Sequence, residues 1–321
     1  MRILVVHDEA GPYLGSLIRR FPTAEFHSIE KHSMLPAVLP DLKPTVVLSF
    51  KEVETVPDDM APLLEAPSIQ WLHVASVGTE HIPSGKGGPL ISHVAGIGAP
   101  AMAEYAVGAL LAANLRLPDY FRQQARREWK ILPWRSVRGR TILVIGLGWI
   151  GKEIAQTAKA LGMRVIGIRS TRQPVANVDD VRTLEHLNDS LREADFVSLQ
   201  IPVTPQTTRL IDKAALAAMK PQAWLVNVGR GALVDEDALV EALRAGRIAG
   251  AVLDVFSEEP LPASSPLWDM GNCIITPHSS GWTLDWQAGA YEEFAVNLER
   301  WMSGQPPLRV LDRQHRSASR Q

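Results

Sequence analysis

The chain has a single cysteine, Cys273, in 321 residues, so it can form neither an internal disulfide nor a cluster of thiolate metal ligands. That suits a reducing compartment, and the cytoplasm is the expected location. It also lacks any run approaching the roughly 20 apolar residues of a membrane-spanning helix, so no membrane partner is expected. The opening Met1-Arg2-Ile3-Leu4-Val5-Val6-His7 breaks off at Asp8-Glu9 and reads as a first strand rather than a secretion signal. An excess of one charge is missing as well. With 33 basic and 35 acidic residues the formal net charge is -2, which argues against nucleic acid held through its phosphates. What remains is globular composition, 46% hydrophobic and 21% charged, at a length that suits two domains.

Short β-rich runs at 2–7, 45–50 and 69–74 alternate with longer mixed segments. The small-residue stretch Ala95-Gly96-Ile97-Gly98-Ala99-Pro100 opens an Ala- and Leu-rich pattern that predicts one long helix over 101–127, joining two domains. Alternation resumes with strands at 141–146, 164–168, 195–200, 224–228 and 249–254, and helices at 150–161, 184–192 and 235–245. Such spacing predicts an α/β fold with a parallel, doubly wound sheet. An amphipathic helix over 286–302 follows, and the polar tail from Asp312 reads as disordered.

Gly146-Leu147-Gly148-Trp149-Ile150-Gly151 sits between an apolar strand and a helix. There the first glycine permits a tight turn and the second lets the backbone approach a pyrophosphate. The third allows close helix-on-strand packing, with the phosphates at the helix N-terminus. An NAD-binding chain would end its second strand in an acid for the adenine ribose. This one ends in Arg169-Ser170-Thr171-Arg172, where two cations and a hydroxyl suit a 2′-phosphate, so NADP is the expected cofactor and NAD the weaker alternative. A methyltransferase binding S-adenosylmethionine could share the glycine turn, but it too wants an acid where Arg169 stands.

Three further segments each follow a predicted strand and contain Arg230, Glu259 and His278. Singly they say little, since a lone Arg or Glu is usually solvated and a lone His usually structural. In an open α/β sheet, however, loops at the carboxyl ends of strands converge on one crevice. No metal site is expected, because His73 and His81 flank a glycine turn without a His-Glu-x-x-His or cysteine pair, and His73 reads as a structural histidine.

Together these segments resemble the D-isomer-specific 2-hydroxyacid dehydrogenase family over most of the chain. Val77-Gly78-Thr79-Glu80-His81-Ile82 resembles the substrate-carboxylate loop, with Glu80 where Asp is commoner; Ala103-Glu104-Tyr105 resembles the start of the interdomain helix. Ile201-Pro202-Val203-Thr204-Pro205-Gln206-Thr207 resembles the loop beside the nicotinamide. The resemblance implies a flavodoxin-like substrate domain of residues 1–98 plus 286–321 and a Rossmann cofactor domain of residues 99–285, in a homodimer. It assigns catalysis to Arg230, Glu259 and His278, and substrate contacts to Val77, Gly78 and Arg230, with Trp134 added as a pocket wall. Cofactor contacts fall to Gly146, Gly148, Trp149, Ile150, Gly151, Arg169, Ser170, Arg172, Ile201, Pro202, Thr207, Val228, Gly229, Asp254 and Ser280. Within the family the Arg169 pattern is similar to that of glyoxylate and hydroxypyruvate reductases.

The chemistry agrees. Hydride attack on a 2-oxo acid develops negative charge on the ketone oxygen, which calls for a fixed cation and a proton donor. Arg230 offers a planar fork and His278 a proton, while a carboxylate at Glu259 favours the imidazolium. Formate dehydrogenases of this superfamily put an amide beside the histidine, so Glu259 points to a hydroxy acid. The expected reaction is reduction of a small 2-oxo acid, glyoxylate or hydroxypyruvate, to the D-2-hydroxy acid, with bulkier or phosphorylated 2-oxo acids as the alternative. Some transcriptional corepressors resemble the same family, which leaves a nucleotide-sensing interaction protein as the alternative of another class.

Overall fold

In a computed structural model the described residues are 1–50, 60–76, 78, 82, 83, 85, 87–94 and 96–311. The expectations placed on Val77, Thr79, Glu80, His81 and the tail from Asp312 lie outside them. The chain forms two compact units, one made of Met1–Ile97 with the segment beginning at Thr283, the other of Gly98–Trp282.

The first unit opens with β1 (Arg2–Val6), α1 (Gly11–Arg20), β2 (Glu25–Ile29), α2 (Leu35–Leu42), β3 (Val46–Phe50), α3 (Ala61–Glu65), β4 (Trp71–Ala75) and β5 (Leu90–His93). Its strands are all parallel in the order β2-β1-β3-β4-β5, the flavodoxin-like order. Every residue of β3 and β4 is buried, because both faces of the sheet are covered. Alternate side chains serve opposite faces: Ile3, Val5, Val46 and Leu48 join one apolar cluster, and Leu4, Val6 and Val47 the other. Burying each such chain contributes about 1.5–3 kcal/mol.

The second unit runs α4 (Ala99–Asn114), α5 (Leu117–Arg126), β6 (Thr141–Ile145), α6 (Trp149–Ala160), β7 (Arg164–Ile168), β8 (Asp180–Arg182), α7 (Leu187–Glu193), β9 (Phe196–Leu199), α8 (Lys213–Ala218), β10 (Trp224–Asn227), α9 (Glu236–Arg244), β11 (Gly250–Leu253) and β12 (Cys273–Ile275). Seven parallel strands take the order β12-β11-β10-β9-β6-β7-β8, a Rossmann sheet extended at one edge. Its faces are divided in the same way, with Ile142 and Val144 packed beneath α4 and α6, and Leu143 and Ile145 against the cluster that contains α7, α8 and α9. After it comes α10 (Trp286–Met302), whose Ala290, Tyr291, Phe294 and Leu298 complete a core cluster of the first unit.

One expectation is corrected. Residues 101–127 are not a single helix: the chain breaks at Leu115-Arg116, with Arg116 left-handed at φ 61°. Pro118 has no N–H for the Asn114 carbonyl, and its ring would clash there, so α4 stops at Asn114 and α5 starts afresh with the proline in its first turn.

Candidate active site

The switch point of the seven-stranded sheet lies between β6 and β9, where the order of successive parallel strands turns from one edge of the sheet toward the other. Gly146 leaves β6 at φ 102°, a conformation that glycine alone adopts readily, and a Cβ there would also lie 2.7 Å from the Gln200 carbonyl oxygen. A Cβ on Gly151 would overlap the Gly146 carbonyl oxygen, so α6 can approach β6 this closely only without one. Gly148 differs: nothing lies within 4 Å of a Cβ built on it. Two glycines are thus consumed by packing, and the middle one leaves open space at the N-terminus of α6, as the approach of a pyrophosphate requires. Trp149 and Ile150 form the first turn of α6, Trp149 exposed and Ile150 half-buried. Gln200 is a residue that the sequence did not single out. Its Nε2 donates to the carbonyls of Ile145 and Gly146 at 2.8 and 3.1 Å and so braces the turn.

At the end of β7 the backbone N–H of Arg169 donates to Arg182 at 3.0 Å, which holds this residue at the strand's carboxyl end. Arg169 is half-buried, whereas Ser170 and Arg172 are exposed. Arg172 Nη2 lies 2.7 Å from His186 Nε2 and 3.8 Å from the Glu185 carboxylate. In the loop after β9, Thr207 is buried, and its hydroxyl donates to the Pro202 carbonyl at 2.8 Å and accepts from the Thr204 N–H at 2.7 Å. That hydroxyl therefore shapes the Ile201-Pro202 loop from within.

Arg230, Glu259 and His278 follow β10, β11 and β12, whose last residues stand side by side: Asn227 is paired with Leu253, and Leu253 with Ile275. Asn227 governs the first loop. Its Nδ2 donates to the Arg230 carbonyl at 3.0 Å and its Oδ1 accepts from the Gly229 N–H at 3.1 Å. Val228 and Gly229 are buried beneath. Arg230 is half-buried and its Nη1 donates to the Gly229 carbonyl at 2.7 Å. A Cβ on the next residue, Gly231, would overlap the backbone of Phe256, so the arginine loop lies directly on the loop that carries Glu259.

Glu259 uses both carboxylate oxygens. Oε1 accepts from the Phe256 N–H at 2.9 Å, and Oε2 lies 2.7 Å from Nδ1 of His278. This contact puts a proton on Nδ1 and directs Nε2 away from the carboxylate. His278 is half-exposed and its backbone is left-handed at φ 50°, an uncommon conformation for a residue with a side chain. Asp254 is wholly buried, and its carboxylate accepts from the N–H groups of Ser279 and Ser280 at 2.8 and 2.9 Å.

Trp134 is exposed in the loop before β6, on a stretch that also exposes Phe121, Trp129 and Ile131. Gly78 accepts from the Ser76 hydroxyl at 2.7 Å. His73 is fully buried in the first unit, with Nδ1 2.7 Å from Ser92 Oγ, which fits a structural histidine. Burial, with positive charge on His93 and Arg309 adding to it, pushes its imidazole down to about 3.

Residues 107–280, more than half of the chain, match the family described as D-isomer specific 2-hydroxyacid dehydrogenase, NAD binding domain. A glyoxylate reductase of Korarchaeum cryptofilum is 30% identical over 92% of this chain and 95% of its own. A D-3-phosphoglycerate dehydrogenase of Methanocaldococcus jannaschii is 34% identical over 77% of this chain, which spans about half of that relative's length, 48%. Among solved structures, a family protein from Aeromonas salmonicida superposes with a TM-score of 0.84 at 32% identity, covering 97% of this chain and 99% of that one. A probable 2-hydroxyacid dehydrogenase from Rhizobium etli, in complex with NADP, HEPES and L(+)-tartaric acid, gives 0.80 at 25% identity, with 98% of each chain covered. With a glycine turn open to a dinucleotide and an Arg, Glu and His carried on adjacent strand ends, the chain belongs to the D-isomer-specific 2-hydroxyacid dehydrogenases and contains their NAD(P)-binding domain.

Proposed function

We propose that the protein reduces a small 2-oxo acid, glyoxylate or hydroxypyruvate, to its D-2-hydroxy acid with NADPH, as a cytoplasmic homodimer. The observation that carries this reading is the 2.7 Å contact between Glu259 and Nδ1 of His278, which reserves Nε2 for proton transfer. When bound, the reduced nicotinamide supplies the hydride that attacks the keto carbon. Arg230 holds the carboxylate and draws the developing negative charge on the ketone oxygen, and His278 Nε2 gives that oxygen its proton. Glu259 keeps the imidazole oriented and offsets its positive charge. In the reverse direction His278 accepts the hydroxyl proton.

NADPH is favoured by Arg169, Ser170 and Arg172 at the end of β7, where a carboxylate would repel a 2′-phosphate. The NADP bound to the Rhizobium protein supports this assignment. Exposed Phe121, Trp129 and Ile131 form the kind of apolar stretch that a second subunit covers. The glyoxylate reductase relative supports the small substrate. The test is a panel of glyoxylate, hydroxypyruvate, 3-phosphohydroxypyruvate and branched 2-oxo acids assayed with NADPH and NADH. Highest kcat/KM with one of the first two and NADPH is expected. A preference for the phosphorylated acid would overturn the substrate assignment, and NADPH binding without turnover of any acid would favour a nucleotide sensor.

A further inference from the structure

His278 must aim Nε2 at a substrate atom although its side chain is half-exposed and its backbone left-handed. Its support comes from the backbone on either side. The His278 N–H donates to the carbonyls of Asp254 at 2.8 Å and Thr276 at 3.1 Å, and the next two N–H groups are held by the Asp254 carboxylate. That carboxylate is in turn held. Thr276 Oγ1 donates to Asp254 Oδ1 at 2.6 Å, and the same hydroxyl is hydrogen-bonded to the phenol of Tyr105, on α4. A hydroxyl has one proton, and an ionised carboxylate only accepts. Thr276 therefore spends its proton on Asp254, and Tyr105 must be the donor to Thr276. The chain of donors runs one way, Tyr105 to Thr276 to Asp254. Burial, reinforced by the Asp254 charge, pushes the Tyr105 phenol above its usual range, which keeps the proton that this direction requires.

We infer that Tyr105 and Thr276 are positioning residues for the reaction, acting through the Asp254 carboxylate to hold the left-handed turn that aims His278. The residues lie far apart in the chain, and neither hydroxyl has to touch substrate for this role. Removing the Thr276 hydroxyl would leave a buried carboxylate short of one donor and loosen the turn it organises. Small misplacements of an acid–base group are costly, since about 1 Å can lower a rate about 10²-fold.

The inference rests on His278 as proton donor, and the experiment separates the two. Thr276→Val keeps the volume and removes the hydroxyl, Thr276→Ser keeps the hydroxyl, and Tyr105→Phe removes only the outer donor. In glyoxylate reduction with NADPH, Thr276→Val is expected to lower kcat about tenfold or more and Tyr105→Phe about threefold, with both KM values within about twofold. The solvent deuterium isotope effect on kcat should rise in both, because proton delivery becomes limiting, and Thr276→Ser should restore rate and isotope effect. A Thr276→Val enzyme with wild-type kcat and isotope effect would overturn the inference. So would an equal loss in Thr276→Ser, which would mark a purely structural site. If Thr276→Val does not fold, Tyr105→Phe decides by the same two readouts. His278→Ala in the same assay tests the underlying reading alone: loss of turnover there, with unaffected Thr276→Val and Tyr105→Phe enzymes, rejects the positioning role and keeps the proton donor.

Discussion

The two sheets are both parallel and both buried on two faces, yet the histidines packed into the core of one and the histidine beyond the last strand of the other sit in opposite surroundings. The five-stranded unit buries His7, His32 and His73. His7 is stacked on Phe50 at 3.9 Å, its Nδ1 is 3.0 Å from the Tyr291 hydroxyl, and burial holds its imidazole below the usual range despite nearby Asp8 and Glu9. The seven-stranded unit leaves His278 half in solvent with a carboxylate at 2.7 Å. One environment favours the neutral ring and fills its surroundings with aromatic carbon. The other sets a carboxylate against one ring nitrogen and keeps the opposite edge accessible. A shared architecture thus leaves chemistry to the strand-end loops, where a histidine can be both partnered and accessible.

The sharpest way to break this contrast is to exchange histidines on either side of it. His278→Ala is expected to lower kcat by about 10² to 10⁴, the range for a lost general acid, whereas folded His73→Gln should retain kcat within about threefold. Equal losses measured by NADPH oxidation would remove the contrast. Next in size is Arg230→Lys, which keeps the charge but not the planar fork. It should raise KM for the oxo acid and lower kcat, together costing about 10²-fold in kcat/KM, while NADPH affinity by fluorescence titration stays unchanged. Unchanged turnover would place the carboxylate elsewhere. Arg169→Asp should lose at least about tenfold in preference for NADPH over NADH, or about 1.4 kcal/mol, read as the ratio of kcat/KM values. An unmoved ratio would mean that the end of β7 does not select the cofactor.

The smallest effect near neutral pH belongs to His73. Its folded value lies near 3, below the ordinary 6.5, so between these limits the unfolded chain binds the proton that the folded chain refuses. Stability is therefore undiminished above the upper limit and falls with pH inside the window, by up to about 1.4 kcal/mol per unit. Urea unfolding of His73→Gln at several pH values should show a correspondingly flatter acid limb. Parallel curves for the two proteins would show that His73 protonates without unfolding.

How much of this could be read in the sequence depended on whether the cause was local. The strands β3, β4, β6 and β7 announce themselves as apolar runs, and the glycine turn lies between strand and helix in one short stretch. Arg230, Glu259 and His278 say little singly and stood out as candidates only when their three segments were taken together; in the fold they follow β10, β11 and β12. In contrast, β2, with Glu25, His27 and Ser28, and β8, with Asp180 and Arg182, sit at sheet edges where burial on both faces is not required, so their residues look like loop. The break before α5 was signalled by Pro118 but outweighed by the Ala-rich pattern around it. The supports of the site were the least legible. Gln200 reaches a carbonyl 55 residues back and Tyr105 a hydroxyl 171 residues ahead, distances over which no spacing rule operates.

The last helix has a consequence for how the protein is made. The seven-stranded unit is one continuous stretch, Gly98–Trp282, whereas the five-stranded unit receives Ala290, Tyr291, Phe294 and Leu298 from α10. During synthesis from the N-terminus, the first strands to emerge belong to a core that cannot close until some 200 further residues have been added, about 10 to 40 seconds later at usual translation rates of 5–20 residues per second. Through that interval the middle of the chain can fold to completion while its beginning waits with apolar Val5, Leu48 and Trp71 uncovered. Of the two units, the one whose strands are made earlier is the one completed later.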